Sequence, residues 1–253
     1  MAYKFIQVNM YKGKYLNELI QFLTDEDPDF ISLQEVSGGA DNLCEDRNIS
    51  LFVYLKDQLS LFGSEKHDYD LIDVSGYMGN AVLSKHKLID TKVIPLKSYV
   101  QIDLKTSKDQ NFWPNGPRHL LDCTFTVDGS YIHAMSVHGA WTAPPADTDE
   151  TLRQAGIIAD YLKNTNEPFL LGGDFNNVIQ SKTIGLISEV SNNFLLNSGI
   201  LETTNPKVHK IAPRGYLIDF IFASRDIKLK KLTVPRITVS DHLPVIAEVE
   251  VYA

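Results

Sequence analysis

Short apolar runs in this chain stop, again and again, on a side chain that can hold a cation or a proton. That habit restricts the fold more than any other feature. Residues 4–8 end at Asn9, 30–33 at Gln34-Glu35, and 131–137 at His138. Residues 169–171 run into Gly172-Gly173-Asp174-Phe175-Asn176. Asp219 lies inside the apolar stretch 217–222, and Asp241-His242 precede the run 245–251. Runs of this length are strand-sized. Between them lie amphipathic stretches: Leu16, Leu19, Ile20 and Leu23 share one helical face, as do Leu152, Ala155, Ala159 and Leu162. Strands and helices mixed from end to end predict an α/β fold. In such a sheet the strand ends share a rim, where polar groups converge on a site.

The remaining elements follow from the same patterns. Pro28 stops the first helix before the strand at 30–33, and Leu51, Tyr54, Leu55 and Leu59 predict a second helix. The middle is strand-rich, with runs at 69–74, 80–83, 88–96, 120–127 and 131–137. Asp128-Gly129 between the last two is a hairpin turn. Pro144-Pro145 and the acidic residues after them suit the start of the helix around 152–162, and Ile184, Ile187 and Val190 predict a short one. Late strands are expected at 216–223, 228–234 and 245–251. Residues 98–118, with Phe112-Trp113-Pro114 and Gly116-Pro117, form the least regular stretch, of the kind that carries function. With no repeat, linker or low-complexity segment, residues 1–253 are expected to form a single domain.

Composition narrows the class of partner. The 24 Lys and Arg against 32 Asp and Glu leave a net charge of −8. That is unsuited to a protein that coats nucleic acid through many phosphate contacts. It suits an enzyme that grips one or two phosphates through a metal, with acidic ligands offset by a bound cation. Cys44 and Cys123 stand far apart and read as buried thiols. The start of the chain has no apolar signal core, and no apolar run approaches the roughly 20 residues of a membrane span. A cytoplasmic monomer that does not insert into membranes is expected.

Taken singly, the polar residues have ordinary readings. Asn9 reads as a turn residue, Glu35 as a solvated strand end, and His138 as a satisfied histidine. Asp219 is harder to dismiss, because a carboxylate among apolar neighbours is costly unless paired. Taken together, several carboxylates, two histidines and two asparagines at strand ends suit a hard cation and a phosphate. Mg²⁺ prefers oxygen ligands. Amide and imidazole donors can hold the oxygens of a transferring phosphoryl group.

These segments resemble the signature blocks of the endonuclease/exonuclease/phosphatase superfamily, the deoxyribonuclease I-like fold. The blocks are Leu33-Gln34-Glu35-Val36, Gly172-Gly173-Asp174-Phe175-Asn176, Ile218-Asp219-Phe220-Ile221 and Ser240-Asp241-His242-Leu243-Pro244. Asn9, Gly79-Asn80-Ala81-Val82-Leu83-Ser84 and Val137-His138 fit the remaining blocks, all in family order. The resemblance implies a four-layer α/β/β/α sandwich of two packed mixed β-sheets flanked by helices, with the site at one rim. It implies that Glu35 is the principal Mg²⁺ ligand, with Asn9 and Asp241 near the metal and Mn²⁺ as a substitute. Asp174 would activate the attacking water. Asn176, His138 and His242 would contact phosphate oxygens, and Asp219 would fix the tautomer of His242. Arg118, Asn80 and Trp141 are further candidates for substrate contact.

Two departures bear on substrate. The first strand continues Asn9-Met10-Tyr11-Lys12-Gly13, and the histidine strand ends in His138. Both differ from the pattern of abasic-site DNA repair members. They point to the histidine-bearing branch of nucleases, sphingomyelinases, phosphoinositide phosphatases and uncharacterised bacterial proteins. The leading expectation is a metal-dependent phosphodiesterase acting on a nucleic acid or a nucleotide, by in-line attack of water. Trp113 and Trp141 lie in loops beside the rim motifs and are candidates to stack on a base. The alternative is a phosphomonoesterase for a small-molecule or lipid headgroup phosphate. A non-catalytic binding module is disfavoured, because the acidic and imidazole residues are all present.

Overall fold

A computed structural model of the chain describes residues 2–209 and 215–251. The first sheet contains β1 (Ala2–Asn9), β2 (Phe30–Gly39), β3 (Phe62–Leu71), β4 (Gly76–Ser84), β6 (Val100–Ile102), β12 (Ile227–Thr233) and β13 (Val245–Val251). Its spatial order is β12-β13-β1-β2-β4-β3-β6. The second contains β5 (Lys87–Lys97), β7 (Arg118–Val127), β8 (Ser130–His138), β9 (Phe169–Asp174), β10 (Asn192–Asn193) and β11 (Asp219–Ala223), in the order β10-β11-β9-β8-β7-β5. Both are mixed: β1 pairs parallel with β2, and β8 parallel with β9, among antiparallel neighbours. Helices α1 (Leu16–Glu26) and α2 (Leu51–Gln58) cover the first sheet, and α3 (Asp149–Lys163) and α4 (Lys182–Val190) the second. The four-layer α/β/β/α sandwich is the expected one.

Side-chain alternation along the strands builds the layers. In β1, Ile6 and Val8 pack with Leu19, Leu23 and Leu55 of the covering helices, while Phe5 faces the second sheet. In β2, Ile31 and Leu33 face the helices and Phe30 faces inward. Continuing inward along the same strands come Gln7, Asn9, Ser32 and Gln34, all essentially inaccessible to solvent. The layer between the sheets therefore turns from aromatic (Phe5, Phe30, Phe125) to hydrogen-bonded polar as it nears the rim. Gln34 Nε2 donates to Ser136 Oγ at 2.9 Å, and Ser136 Oγ donates to the Leu33 carbonyl at 2.9 Å. Ser32 Oγ donates to the Gly172 carbonyl at 3.0 Å. Buried polar groups are tolerable on these terms, since each has a partner in the facing sheet.

Local signals fix the connections. Asp128 and Gly129 both have positive φ, the paired left-handed conformation of a tight hairpin turn, between β7 and β8. Thr148 and Thr151 cap the start of α3 reciprocally. Both cysteines are free and buried. Among the described residues, no helix is long and apolar enough to cross a membrane.

Four expectations need correction. The strand expected at 69–74 is β3, which begins at Phe62 and ends at Leu71. Its first half carries charged residues because this part of the sheet lies near solvent. The strand expected from 216 begins at Asp219, so that carboxylate opens β11 rather than sitting inside it. Gln34-Glu35 do not close the second strand, which runs on to Gly39 through a bulge between Leu33 and Val36. The irregular stretch 98–118 contains the short β6 and two single-turn 3₁₀ segments.

At Gly172 the two sheets approach closely. A Cβ there would lie 2.8 Å from Ser32 Cβ and 2.9 Å from Phe5 Cε1. Gly172→Ala is expected to cost about 1–3 kcal/mol of stability by overpacking. A lowered urea midpoint at unchanged m-value is the outcome to look for; an unchanged midpoint would mean the sheets have slack.

Candidate active site

The strand ends meet at one rim, around a cleft of about 820 Å³. Asp174 closes β9 and lines the cleft. Its Oδ1 accepts from the Asn176 backbone N–H at 2.9 Å, and its Oδ2 from Asn9 Nδ2 at 3.1 Å. His138 Nε2 lies 3.5 Å and His242 Nε2 3.7 Å from the same Oδ2. Burial, reinforced by the Asp219 charge, lifts the Asp174 carboxyl to about 7 against the pull of His242.

Asp219 sits one layer deeper, fully buried. Its Oδ1 accepts from Gln7 Nε2 at 3.0 Å, and its Oδ2 from Thr203 Oγ1 at 2.6 Å. His242 Nδ1 lies 2.9 Å from Asp219 Oδ2. Burial works against an imidazolium at His242, but the Asp219 and Asp174 carboxylates overcome it and hold the group well above the ordinary histidine range. His138 goes the other way. Burial, then the charges of Arg118, His242 and Lys12, push it well below that range, so it is neutral at neutral pH.

Glu35 reaches the cleft because of the bulge in β2. It has φ 54°, and the extra residue turns its carboxylate out of the strand's alternation. Among the described residues its carboxylate has no hydrogen-bonding partner. Asp241 lines the same cleft; burial, and then Glu35, push its carboxyl up to about 6 despite His242. Two carboxylates on one cleft, one of them without a donor, are a donor set that a hard divalent cation would fit. Asn9 contributes differently: its Oδ1 accepts from the Tyr11 N–H at 3.0 Å and its Nδ2 holds Asp174. Two tighter groups bring ligand atoms within 4.8 Å of one another, Asp174/Asp219/His242 and His209/Asp241/His242. In the first, His242 Nδ1 is already engaged by Asp219, so its short distances belong to a hydrogen-bonded chain.

Asn176 has φ 51°, and its Nδ2 donates to the Gly139 carbonyl at 3.3 Å, leaving the second amide hydrogen for another acceptor. Trp141 and Arg118 line the cleft. The Arg118 Nε donates to the same Gly139 carbonyl at 2.9 Å, and its guanidinium lies 5.1 Å from the Trp113 ring. Trp113 is itself packed on Tyr69 and Phe112. It also lines the cleft. Asn80 does not line the cleft; its Nδ2 donates to the His119 carbonyl at 3.2 Å behind it.

Sequence reasoning missed the supports. Thr203 and Gln7 carry no motif, and Gln34, though inside one, was given no role; only their partners across the sandwich give them meaning. His209 meets His242 edge-on at 5.5 Å; burial lowers it to about 4. Lys12 and Asp41 were also unmarked, though Lys12 lies three residues after Asn9 in the first block.

The Endonuclease/Exonuclease/phosphatase family pattern matches residues 6–242, and the chain belongs to that family. Its members are hydrolases of phosphoesters that depend on a divalent metal. An endonuclease/exonuclease/phosphatase from Bacteroides vulgatus superposes with a TM-score of 0.75 at 17% identity, covering 100% of both chains. The mannosyl-6-phosphatase Bt3783 of Bacteroides thetaiotaomicron VPI-5482 gives 0.73 at 16%, covering 98% of this chain and 99% of its own. D. rerio TDP2 complexed with single strand DNA product gives 0.71 at 14%, again covering 98% and 99%. No curated protein matches the sequence.

The His242–Asp219 pair has a direct consequence. An imidazolium held above its unfolded value stabilises the fold fully below about pH 6.5, and that contribution is lost as pH rises through the raised value. In metal-free protein, Asp219→Asn is expected to bring the His242 titration down, read from imidazole ¹H–¹⁵N NMR. An unmoved titration would dissociate the two groups.

Proposed function

We propose that this chain is a Mg²⁺-dependent phosphodiesterase acting on a nucleotide-sized phosphodiester. The observation that carries this reading is the convergence of Asp174, the His242–Asp219 pair, His138 and Asn176 in one cleft with Glu35 and Asp241. The cleft volume falls in the range of roughly 300–1,000 Å³ typical of small-molecule sites, which favours a nucleotide or a strand end over the middle of a duplex. Trp141, which lines the cleft, suits stacking on a base.

A divalent cation held by Glu35, with Asp241 and Asn9 beside it, would supply positive charge to the phosphoryl oxygens. Asp174 orients the attacking water and accepts its proton at Oδ2, which Asn9 holds in place. The water oxygen bonds to phosphorus as the ester oxygen leaves on the opposite side. His242, fixed through Nδ1 by Asp219, presents Nε2–H to the charge that grows on phosphoryl oxygen. The free amide hydrogen of Asn176 and neutral His138 complete the cradle.

A phosphomonoesterase is the second reading. It is favoured by the Lys12 and Arg118 charges beside the cleft, which a dianionic phosphate would use more fully than a diester. A panel of phosphoesters with Mg²⁺ and with EDTA separates the two. Cleavage of short oligonucleotides that EDTA abolishes is expected; release of inorganic phosphate without strand cleavage would replace the first reading by the second. Asp174→Ala and His242→Ala are each expected to lower turnover by at least about a hundredfold. Rates like those of the wild type would overturn the assigned roles.

A further inference from the structure

The cleft lining carries both signs of charge. Four cations (Lys12, Arg47, Lys108 and Arg118) line it together with the carboxylates Glu35, Asp41, Asp174 and Asp241. Arg118 is backed by Asp68, 3.8 Å from its guanidinium. Strand order separates Arg118 from the His242–Asp219 pair. Asp219, which holds His242, opens β11, and Arg118 opens β7, three positions along in the order β11-β9-β8-β7. At about 4.8 Å per strand that is roughly 14 Å.

Lys12 is carried to Asp41 and Tyr69 by an unusual piece of backbone. It follows β1, yet its ammonium lies 2.9 Å from Asp41 Oδ1 and 3.5 Å from the hydroxyl of Tyr69, on β3, three positions from β1. Tyr11 and Lys12 both have φ 49°, and Gly13 has φ 75°. Two consecutive left-handed residues that are not glycine are strained, and such strain persists only where surrounding structure enforces it. Here Asn9 Oδ1 holds the Tyr11 N–H, and the Lys12 carbonyl accepts from Leu43 N at 2.8 Å. Gly13 is needed, because a Cβ would lie 2.8 Å from Leu51.

Neutralising Asp41 does not by itself require this turn. Tyr69 donates to the other oxygen of Asp41, and Lys12 keeps 19% of its side chain exposed on the cleft side of a carboxylate that is only 6% exposed. Asp41 and Tyr69 thus form a buried bracket under the ammonium, while Trp113 backs both Tyr69 and Arg118.

We propose that Lys12 and Arg118 form a second anion subsite, which takes an additional phosphate of the substrate at the end of the cleft away from His242. The assignment rests on the phosphodiesterase reading for its substrate but not for its binding of phosphate. It makes a phosphoester with a second anionic group the preferred substrate, and it gives the first-strand departure at Lys12 a purpose.

Two measurements test it. Inorganic phosphate is titrated by calorimetry into metal-free protein in EDTA, for the wild type, Lys12→Met, Lys12→Arg and the double variant Lys12→Met/Asp41→Asn, which removes the ion pair together. Lys12→Met and the double variant are expected to weaken binding by about tenfold to a hundredfold, the range for one charged hydrogen bond, and Lys12→Arg to restore most of it. Equal affinity in all four folded proteins, checked by thermal melting, or no binding by the wild type, would overturn the subsite. Separately, with Mg²⁺, thymidylyl-thymidine is compared bare, with a 5′-phosphate and with a 3′-phosphate. A preference in kcat/KM for one phosphorylated form, collapsing in Lys12→Met, supports the subsite; a preference that survives overturns it. If the wild type cleaves none of the three, the phosphodiesterase reading fails, and the phosphate titration alone decides the subsite.

Discussion

Asp219 is the constraint on which the rest of the site depends. A fully buried carboxylate must be paired or hydrogen-bonded, or it will not stay charged. This one is supplied from three directions: Gln7 in the opposite sheet, Thr203 in the loop before β11, and His242 in the loop before β13. Meeting that demand ties both sheets and two loops to one point. The same residue then holds His242 as an imidazolium beside Asp174, so the electrostatics of the rim follow from satisfying one buried charge.

The sandwich prepares that point gradually. Aromatic packing between the sheets gives way, along the same strands, to amides and hydroxyls that bond across the gap and then to the ionisable groups. A polar layer close to a fully apolar one keeps the rim dry enough for charges to act strongly, yet leaves each buried group a partner. Opposite shifts at the two histidines follow from it. His242 faces two carboxylates and is protonated, whereas His138 faces the charges of Arg118, His242 and Lys12 and is neutral. One rim thereby holds a proton donor and a neutral imidazole within 4 Å of the same carboxylate oxygen.

Much of this was legible in the chain. The alternation that makes β1 and β2, the Asp128-Gly129 turn, the capped α3 and the rim positions of Asn9, His138, Asp174 and Asp241 all follow from neighbours a few residues apart. Glu35 was legible as a candidate but not in its placement. Only the pairing with β4 reveals the bulge that turns it into the cleft. Trp113 read as a stacking platform; its contacts with Tyr69 and Arg118 were not legible. Asn80 read as a substrate contact, but its amide is turned to the His119 carbonyl.

By itself the sequence determined which elements form and which chemistry stands at their ends, because hydrophobic period, turn residues and caps act over a few residues. Tertiary structure alone decided which groups share a hydrogen bond. Asn9 meets Asp174 across 165 residues of chain and Gln7 meets Asp219 across 212. It also decided that Lys12, three residues beyond the first strand end, stands against Asp41 and Tyr69. Contacts of that range depend on how the two sheets face each other, and a local pattern holds no record of that facing.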